Sequence, residues 1–144
     1  MNYQINTLNN TYTFMKVDHL LLVDDSDIDN LINKKVVENN QFARQIMVVK
    51  SVNAAIRYLL EIFSEDCPAL PDMIFLDIRM PDQDGFDFLE KFRQLDSHIK
   101  SQCKIVMLTS SIDADDYRNA MENPYVFGFI NKPLTSNALQ QLCV

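Results

Sequence analysis

Four short apolar runs, each followed by polar or charged residues, constrain the fold of this chain more than any other feature. A continuous apolar run of strand length, bounded by residues that interrupt it, is typical of a strand buried on both faces of a parallel sheet. Segments with apolar residues at helical spacing separate the runs. This alternation predicts an α/β fold with a parallel sheet and right-handed crossovers. The runs are Leu20–Val23, Met73–Leu76, Ile105–Leu108 and Val126–Ile130.

The same patterns divide the chain into five strands and five helices. The predicted strands are His19–Val23, Ile46–Val49, Met73–Asp77, Ile105–Leu108 and Val126–Ile130. The predicted helices run from Ser26 or Asp27 to about Glu38, from Ser51 to Phe63, from near Asp84, from about Asp113 to Met121, and from Thr135 to Leu142. The first helix carries apolar residues at helical spacing, namely Ile28, Leu31, Ile32 and Val36. In the fourth helix, Tyr117, Ala120 and Met121 are expected to face inward, and the polar residues 96–102 are expected to form a connection.

Composition excludes several classes of protein. The 144 residues suffice for one domain with a hydrophobic core, and 47% hydrophobic residues are too many for a disordered chain. The net charge of −7 argues against direct binding to nucleic acid or anionic membranes, because both would repel it. No apolar run approaches the ~20 residues of a transmembrane helix, so membrane insertion is not expected.

The cysteines and the N-terminus bear on location and domain organisation. Cys67, Cys103 and Cys143 show no metal-binding spacing, and their odd number indicates reduced thiols in a cytoplasmic protein. Residues 1–17 are predicted to be a polar N-terminal arm without the features of a signal peptide. Residues 18–144 are predicted to form the domain, whether it stands alone or belongs to a longer protein.

Residues with reactive side chains follow the predicted strands. In a parallel sheet the carboxyl ends of the strands meet at one edge, where open α/β sheets bind ligands. That edge would hold the carboxylates of Asp24, Asp25 and Asp77, the Thr109 hydroxyl and the Lys132 ammonium. Clustered carboxylates repel one another unless a cation neutralises them, and hard oxygen ligands suit Mg²⁺. Taken singly, the paired acids could instead cap the following helix, and the lysine could be an ordinary surface residue.

Together these motifs resemble the receiver domain of two-component response regulators, from about residue 19 to the C-terminus. The resemblance rests on the acid pair Asp24-Asp25, Asp77 followed by Met80-Pro81, the strand-end Thr109 and the pair Lys132-Pro133. It implies a flavodoxin-like doubly wound (βα)5 fold, with strand order 2-1-3-4-5. It further implies a single-domain response regulator of chemotaxis type.

The resemblance also implies a role for each residue of the site. Asp77 would be the phosphoacceptor, a carboxylate that attacks phosphorus and forms an acyl phosphate. Asp25 and Asp77 would ligate Mg²⁺ directly, the backbone carbonyl of Arg79 would supply another ligand, and Asp24 would act through a bound water. Lys132, aimed inward by a cis bond to the following proline, would pair with a phosphoryl oxygen.

Four residues are implied in switching or in the lifetime of the phosphoryl group. Thr109 and Phe129 would form the switch, with the hydroxyl drawn inward and the aromatic ring following it. Phe129 could equally be a core residue that never moves. Arg79 and Ser111 lie where the family modulates hydrolysis of the acyl phosphate, and the Arg79 side chain could shield the phosphoryl group or extend into solvent.

The implied function is phosphorelay signalling. A histidine kinase or a histidine phosphotransfer protein would phosphorylate Asp77, and the change would alter binding to an unknown downstream protein. The protein would be a monomer or weak dimer, and it would catalyse only its own phosphorylation and dephosphorylation. A phosphorylation-independent interaction module on the same fold is the alternative. A phosphatase is disfavoured because Arg79 stands where such enzymes commonly carry a second acid, and a flavin-binding protein because Asp24 and Asp25 would repel the flavin phosphate.

Overall fold

The structure is a computed structural model that describes residues 16–65, 69–110 and 113–142. Strands and helices alternate along these residues, with one additional helix before the fourth strand. The strands are β1 (Val17–Val23), β2 (Ala43–Val49), β3 (Met73–Asp77), β4 (Lys104–Thr109) and β5 (Val126–Asn131). The helices are α1 (Asp27–Asn39), α2 (Val52–Phe63), α3 (Gly85–Arg93), α4 (Ser97–Gln102), α5 (Ala114–Glu122) and α6 (Ser136–Gln141).

The five strands form one parallel sheet in the order β2-β1-β3-β4-β5. This confirms the flavodoxin-like order 2-1-3-4-5. Val23 is in register with Leu76, and Thr109 with Asn131, so these strands end at one edge of the sheet. The chain order of the strands therefore brings residues from four separate segments to that edge.

The core lies on both faces of the sheet. Every residue of β3 is buried, as are five consecutive residues of β4. Strands buried on both faces form continuous apolar runs, which is why the sequence predicts β3 with its observed bounds. One face packs against Leu59, Phe88 and Phe92, and the other against Val37 and Leu139.

Side-chain caps fix where the helices begin. Ser26, Ser51 and Thr135 each accept a hydrogen bond from a backbone N–H in the first turn of the following helix. Asp84 and Asp87 form a reciprocal capping box at the start of α3. Ser26 is thus the first of the two caps predicted for α1, and it begins that helix directly after the acid pair.

Two elements differ from the sequence prediction. Residues predicted to connect α3 to β4 form the short helix α4, capped by Asp96 and burying only Ile99. One buried residue in six gives no helical periodicity, so the pattern is uninformative there. Strand β2 begins at Ala43, whereas the sequence predicts Ile46. The prediction misses the first residues because β2 is an edge strand, in which the polar residues Arg44 and Gln45 are exposed.

The predicted inward face of α5 is correct for Ala120 alone, and the helical spacing of apolar residues in α1 does not mark its buried face. Tyr117 and Met121 are 53% and 47% exposed, whereas Asp116 and Ala120 are the buried residues of α5. In α1 the apolar residues Ile28, Leu31 and Ile32 are exposed, while the helix buries Asn30, Asn33 and Val37. Polar residues face inward in both helices because these faces lie beside the polar edge of the sheet.

Strand β1 includes Val17, one residue earlier than the predicted start of the domain. Residues 1–15 lie outside the described residues, and the division into an arm and a domain stays a prediction.

Cys103 is buried, which raises the pKa of its thiol to about 12. Cys67 and Cys143 lie outside the described residues. None of the helices in the described ranges has the length and apolar character needed to span a bilayer.

Candidate functional site

Three carboxylates meet at the carboxyl edge of the sheet. Asp24 and Asp25 follow β1 and Asp77 ends β3, and one oxygen of each lies within 4.8 Å of the others. Asp24 and Asp77 are buried, and Asp25 is exposed. The structure therefore brings together the three acids that the sequence predicts to cluster.

The start of α1 holds Asp24 in place. The Ser26 backbone N–H donates to Asp24 Oδ1 at 2.9 Å, and the Asn30 side-chain amide donates to the Asp24 carbonyl at 2.8 Å. Asn30 is buried even though it is polar, because it occupies this contact. The inward polar face of α1 thus orients the first acid of the site.

Asp77 is the acid whose ionisation the site perturbs most. Burial, followed by the nearby charge of Asp24, raises the pKa of its carboxyl from 3.8 to about 6. The charge and hydrogen bond of Lys132 and the backbone N–H of Arg79 oppose this rise. A bound cation would relieve the remaining repulsion, which is the electrostatic situation expected of a metal site.

Lys132 is the cation at the centre of the cluster. Its ammonium lies 2.6 Å from Asp24, 2.9 Å from Asp29 and 3.2 Å from Asp77, and its side chain is 11% exposed. Its backbone N–H donates to the Thr109 carbonyl at 2.8 Å, and its bond to Pro133 is cis, as the resemblance implies. Burial alone would lower the pKa of Lys132, but hydrogen bonds to Asp24 and Asp29 and the charge of Asp77 raise it overall.

Asp29 belongs to this group although the sequence does not predict it there. It lies in the first turn of α1, four residues after Asp25, and its carboxylate reaches Lys132 at 2.9 Å. Asp24 and Asp25 precede the helix, so the available signal is only the closeness of Asp29 to this acid pair in the sequence. That signal is indistinct because acids are common in the first helical turn for their favourable interaction with the helix dipole.

Thr109 and Phe129, the predicted switch pair, lie on adjacent strands. Thr109 is fully buried at the end of β4. Phe129 is partly buried in β5 and makes an edge-to-face contact with Tyr117 of α5, with 5.2 Å between ring centroids. The contact links β5 to α5, but the switching role itself stays a prediction. Ser111 lies outside the described residues.

The Arg79 side chain is partly exposed to solvent, and it also has a partner that the sequence does not predict. Its guanidinium donates to Asp116 Oδ2 of α5 in a short ion pair. The sequence does not predict Asp116 as a site residue, because an acid in the first turn of a helix gives no sign of a distant partner. The role of the Arg79 carbonyl as a metal ligand and the modulating role of its side chain stay predictions.

Gly85 allows the β3–α3 loop to close against the site. A Cβ at this position would lie 2.9 Å from the backbone oxygen of Asp77 and 3.0 Å from Ile78 Cα. Its φ angle is not positive, so glycine is required here by the close approach of the backbone and not by an unusual conformation. The backbone at the end of β3 and the start of α3 are therefore packed directly against each other.

The donor set fits a hard divalent cation. Carboxylate oxygens from Asp24, Asp25 and Asp77 are grouped tightly enough to share one ion, and Asp25 is exposed enough to admit it. Mg²⁺ typically uses one or two carboxylates and keeps several waters, which agrees with an open, oxygen-only group.

Comparison with known proteins identifies the family. The profile of the response regulator receiver domain matches residues 20–143. A two-component response regulator from Cytophaga hutchinsonii has 35% sequence identity and a TM-score of 0.81, over 88% of this chain and 94% of that one. The chain belongs to the response regulator receiver domain family.

Two further relatives agree with that membership. The probable methanogenesis regulatory protein FilR2 of Methanothrix harundinacea is 30% identical over 122 residues, covering 85% of this chain and 76% of the relative. The receiver domain of the histidine kinase CKI1 from Arabidopsis thaliana, solved with Mg²⁺ and BeF₃⁻, has a TM-score of 0.70 over 87% of this chain and 89% of that one. Its identity of 18% makes it similar in fold alone.

Proposed function

We propose that this chain accepts a phosphoryl group on Asp77 from a phosphohistidine, in a Mg²⁺-dependent reaction, and that phosphorylation changes its binding to a downstream protein. The observation that carries the proposal is the environment of Asp77. Its carboxylate is buried at a strand end, 3.2 Å from the ammonium of the partly buried Lys132 and grouped with two further acids.

Each residue has a task in the proposed transfer. An oxygen of Asp77 attacks the phosphorus, the P–N bond to the donor imidazole breaks, and its electron pair stays on the imidazole nitrogen. Asp25 and Asp77 would hold Mg²⁺ directly and Asp24 through a bound water, with the Arg79 carbonyl as a further ligand. When bound, the ion neutralises charge on the phosphoryl oxygens and aligns the reacting groups.

Lys132 supplies the second positive charge. In the structure its ammonium contacts Asp24, Asp29 and Asp77 at once. A phosphoryl group on Asp77 offers this ammonium more negative charge and more acceptor oxygens than the carboxylate alone. Lys132 thus favours the phosphorylated state, and Thr109 would donate a hydroxyl hydrogen bond to the same group.

Surfaces close to the site support the protein partners that we propose. The exposed apolar residues Ile28, Leu31 and Ile32 of α1 lie one turn or more beyond the acid pair, and they suit contact with the kinase or phosphotransfer protein that brings the phosphohistidine. Phe129 would couple phosphorylation to α5 through Tyr117. A cytoplasmic location and a monomeric or weakly dimeric state belong to the same proposal.

Intact-mass analysis with acetyl phosphate tests the proposal. The wild type should gain one phosphoryl group only when Mg²⁺ is present, and Asp77→Asn should gain none. Asp82→Asn is the matched control, since it removes one carboxylate from the same loop, five residues away. Labelling of Asp77→Asn at the wild-type level would refute the assignment. No labelling of the wild type with acetyl phosphate or a phosphorylated kinase would favour the phosphorylation-independent interaction module.

A further inference from the structure

The Arg79–Asp116 ion pair joins the candidate site to α5. Arg79 lies two residues past Asp77, and its guanidinium reaches Asp116. Among the ion pairs of the described residues, this one connects the β3–α3 loop with α5. One residue therefore lies beside Asp77 in the chain and contacts a neighbouring helix with its side chain.

The two side chains of this ion pair differ in their exposure to solvent. The Asp116 side chain is 12% exposed, whereas that of Arg79 is 53% exposed. A buried carboxylate depends on its partner, because losing the partner leaves a charge without compensation. The guanidinium is partly solvated and lies on a long side chain, so it can exchange partners at lower cost.

A phosphoryl group on Asp77 would be a competing partner for Arg79. Arg79 is only two residues past Asp77 and has a long side chain, so a group attached to the Asp77 carboxylate lies within its reach. Its charge of about −2 and three oxygens bind guanidinium more strongly than one carboxylate does.

We propose that Asp116 is a positioning residue for the chemistry at Asp77: it holds the Arg79 guanidinium on α5 until a phosphoryl group draws it away. This inference rests on the proposed phosphorylation of Asp77. Exchange of the guanidinium would leave Asp116 buried and unpaired in the first turn of α5, next to Tyr117 and its contact with Phe129. The charge on Asp77 and the packing of α5 are therefore coupled.

Titration with beryllofluoride, an anionic mimic of the phosphoryl group, at saturating Mg²⁺ tests this coupling. Asp116→Asn frees Arg79 before the mimic binds, so its dissociation constant should fall about fivefold, as expected for a modest coupling between two sites. The half-life of the acyl phosphate should lengthen in the same variant, because the freed guanidinium stays on the phosphoryl oxygens. Asp115→Asn is the matched control, since that exposed acid of the same turn pairs with Arg118 instead.

A double-mutant cycle tests whether Asp116 acts through Arg79. Asp116→Asn should have no effect on beryllofluoride binding in an Arg79→Met background, and Arg79→Met alone should weaken binding. Equal affinity of Asp116→Asn and wild type, or an effect that persists without Arg79, would overturn the inference. If Asp116→Asn fails to fold, unchanged binding in Arg79→Met would overturn it as well. A wild type that binds no beryllofluoride would overturn the proposed function together with this inference.

Discussion

Three carboxylates contact one ammonium at the site, and a fourth carboxylate lies at its rim. Lys132 contacts Asp24, Asp29 and Asp77, while Asp25 is exposed at the rim. The excess of negative charge destabilises the metal-free fold and favours any state in which a cation or a redistribution of charge relieves it. We therefore expect single substitutions of these charged residues to change the stability of the metal-free protein, and Mg²⁺ to reduce those changes.

Replacing Asp77 by asparagine should stabilise the metal-free protein at neutral pH. The pKa of Asp77 is raised from 3.8 to about 6 in the fold, so its ionisation costs stability at pH values above 6, and the cost disappears towards pH 4. We expect Asp77→Asn to unfold at higher urea concentration in EDTA at pH 7.5, by about 2 kcal/mol after allowance for solvent screening. The gain should shrink as the pH is lowered through 6.

Asp82→Asn is the control for that measurement, since it removes one loop carboxylate outside the acid cluster. A gain for Asp77→Asn that is the same at pH 5 and pH 7.5 would show that ionisation of Asp77 is not its cause. Saturating Mg²⁺ should reduce the difference at pH 7.5, because the ion compensates the wild-type charge.

Removing the central cation should have the opposite effect. Lys132→Met leaves the buried carboxylates of Asp24 and Asp77 without a compensating positive charge, and breaking a buried ion pair in this way costs about 3 kcal/mol. We expect that loss in urea unfolding with EDTA, and a smaller loss with Mg²⁺, since the metal then neutralises the carboxylates. Lys34→Met, which removes one half of an exposed pair with Glu38, should change little in either condition. Equal losses with and without Mg²⁺ would contradict this expectation.

At the scale of elements, periodicity predicts the strands better than the helices. β3 is buried along its whole length, so each of its residues carries the signal of a central strand. α1 and α5 turn polar residues toward the polar sheet edge, and a rule that places apolar residues inside therefore assigns their faces wrongly. α4 buries only Ile99, so its formation depends on its Asp96 cap and on its neighbours in the fold.

The packing of the β3–α3 loop gives an element-scale prediction. Gly85→Ala would place a Cβ 2.9 Å from the Asp77 backbone oxygen, so backbone has to move, at a cost of about 1–3 kcal/mol. Gly128→Ala is the matched control, because its nearest neighbour is a Leu142 methyl group at 3.4 Å that can shift. Urea unfolding of both variants measures the difference. A Gly85→Ala protein as stable as Gly128→Ala would show that the close approach does not constrain the loop.

At the scale of the whole molecule, the family resemblance implies the strand order, and the sequence pattern predicts that Asp24, Asp25, Asp77, Thr109 and Lys132 gather at one edge. It can do so because each residue directly follows or ends a strand, and parallel strands align their ends. Asp29 and Asp116 are missed because their partners are distant in the chain: Lys132 is 103 residues from Asp29, and Asp116 is 37 residues from Arg79. Such pairs depend on how helices are seated, which local sequence patterns do not encode.

The most direct test of the central claim identifies the phosphorylated residue in the unmodified protein. Wild type is treated with acetyl phosphate and Mg²⁺, the acyl phosphate is reduced with borohydride, and the product is mapped by peptide mass spectrometry. Reduction converts an aspartyl phosphate to homoserine, so we predict homoserine at position 77 and at no other aspartate. Homoserine at Asp24, Asp25 or Asp29 in place of position 77, or none at all in labelled protein, would contradict the claim.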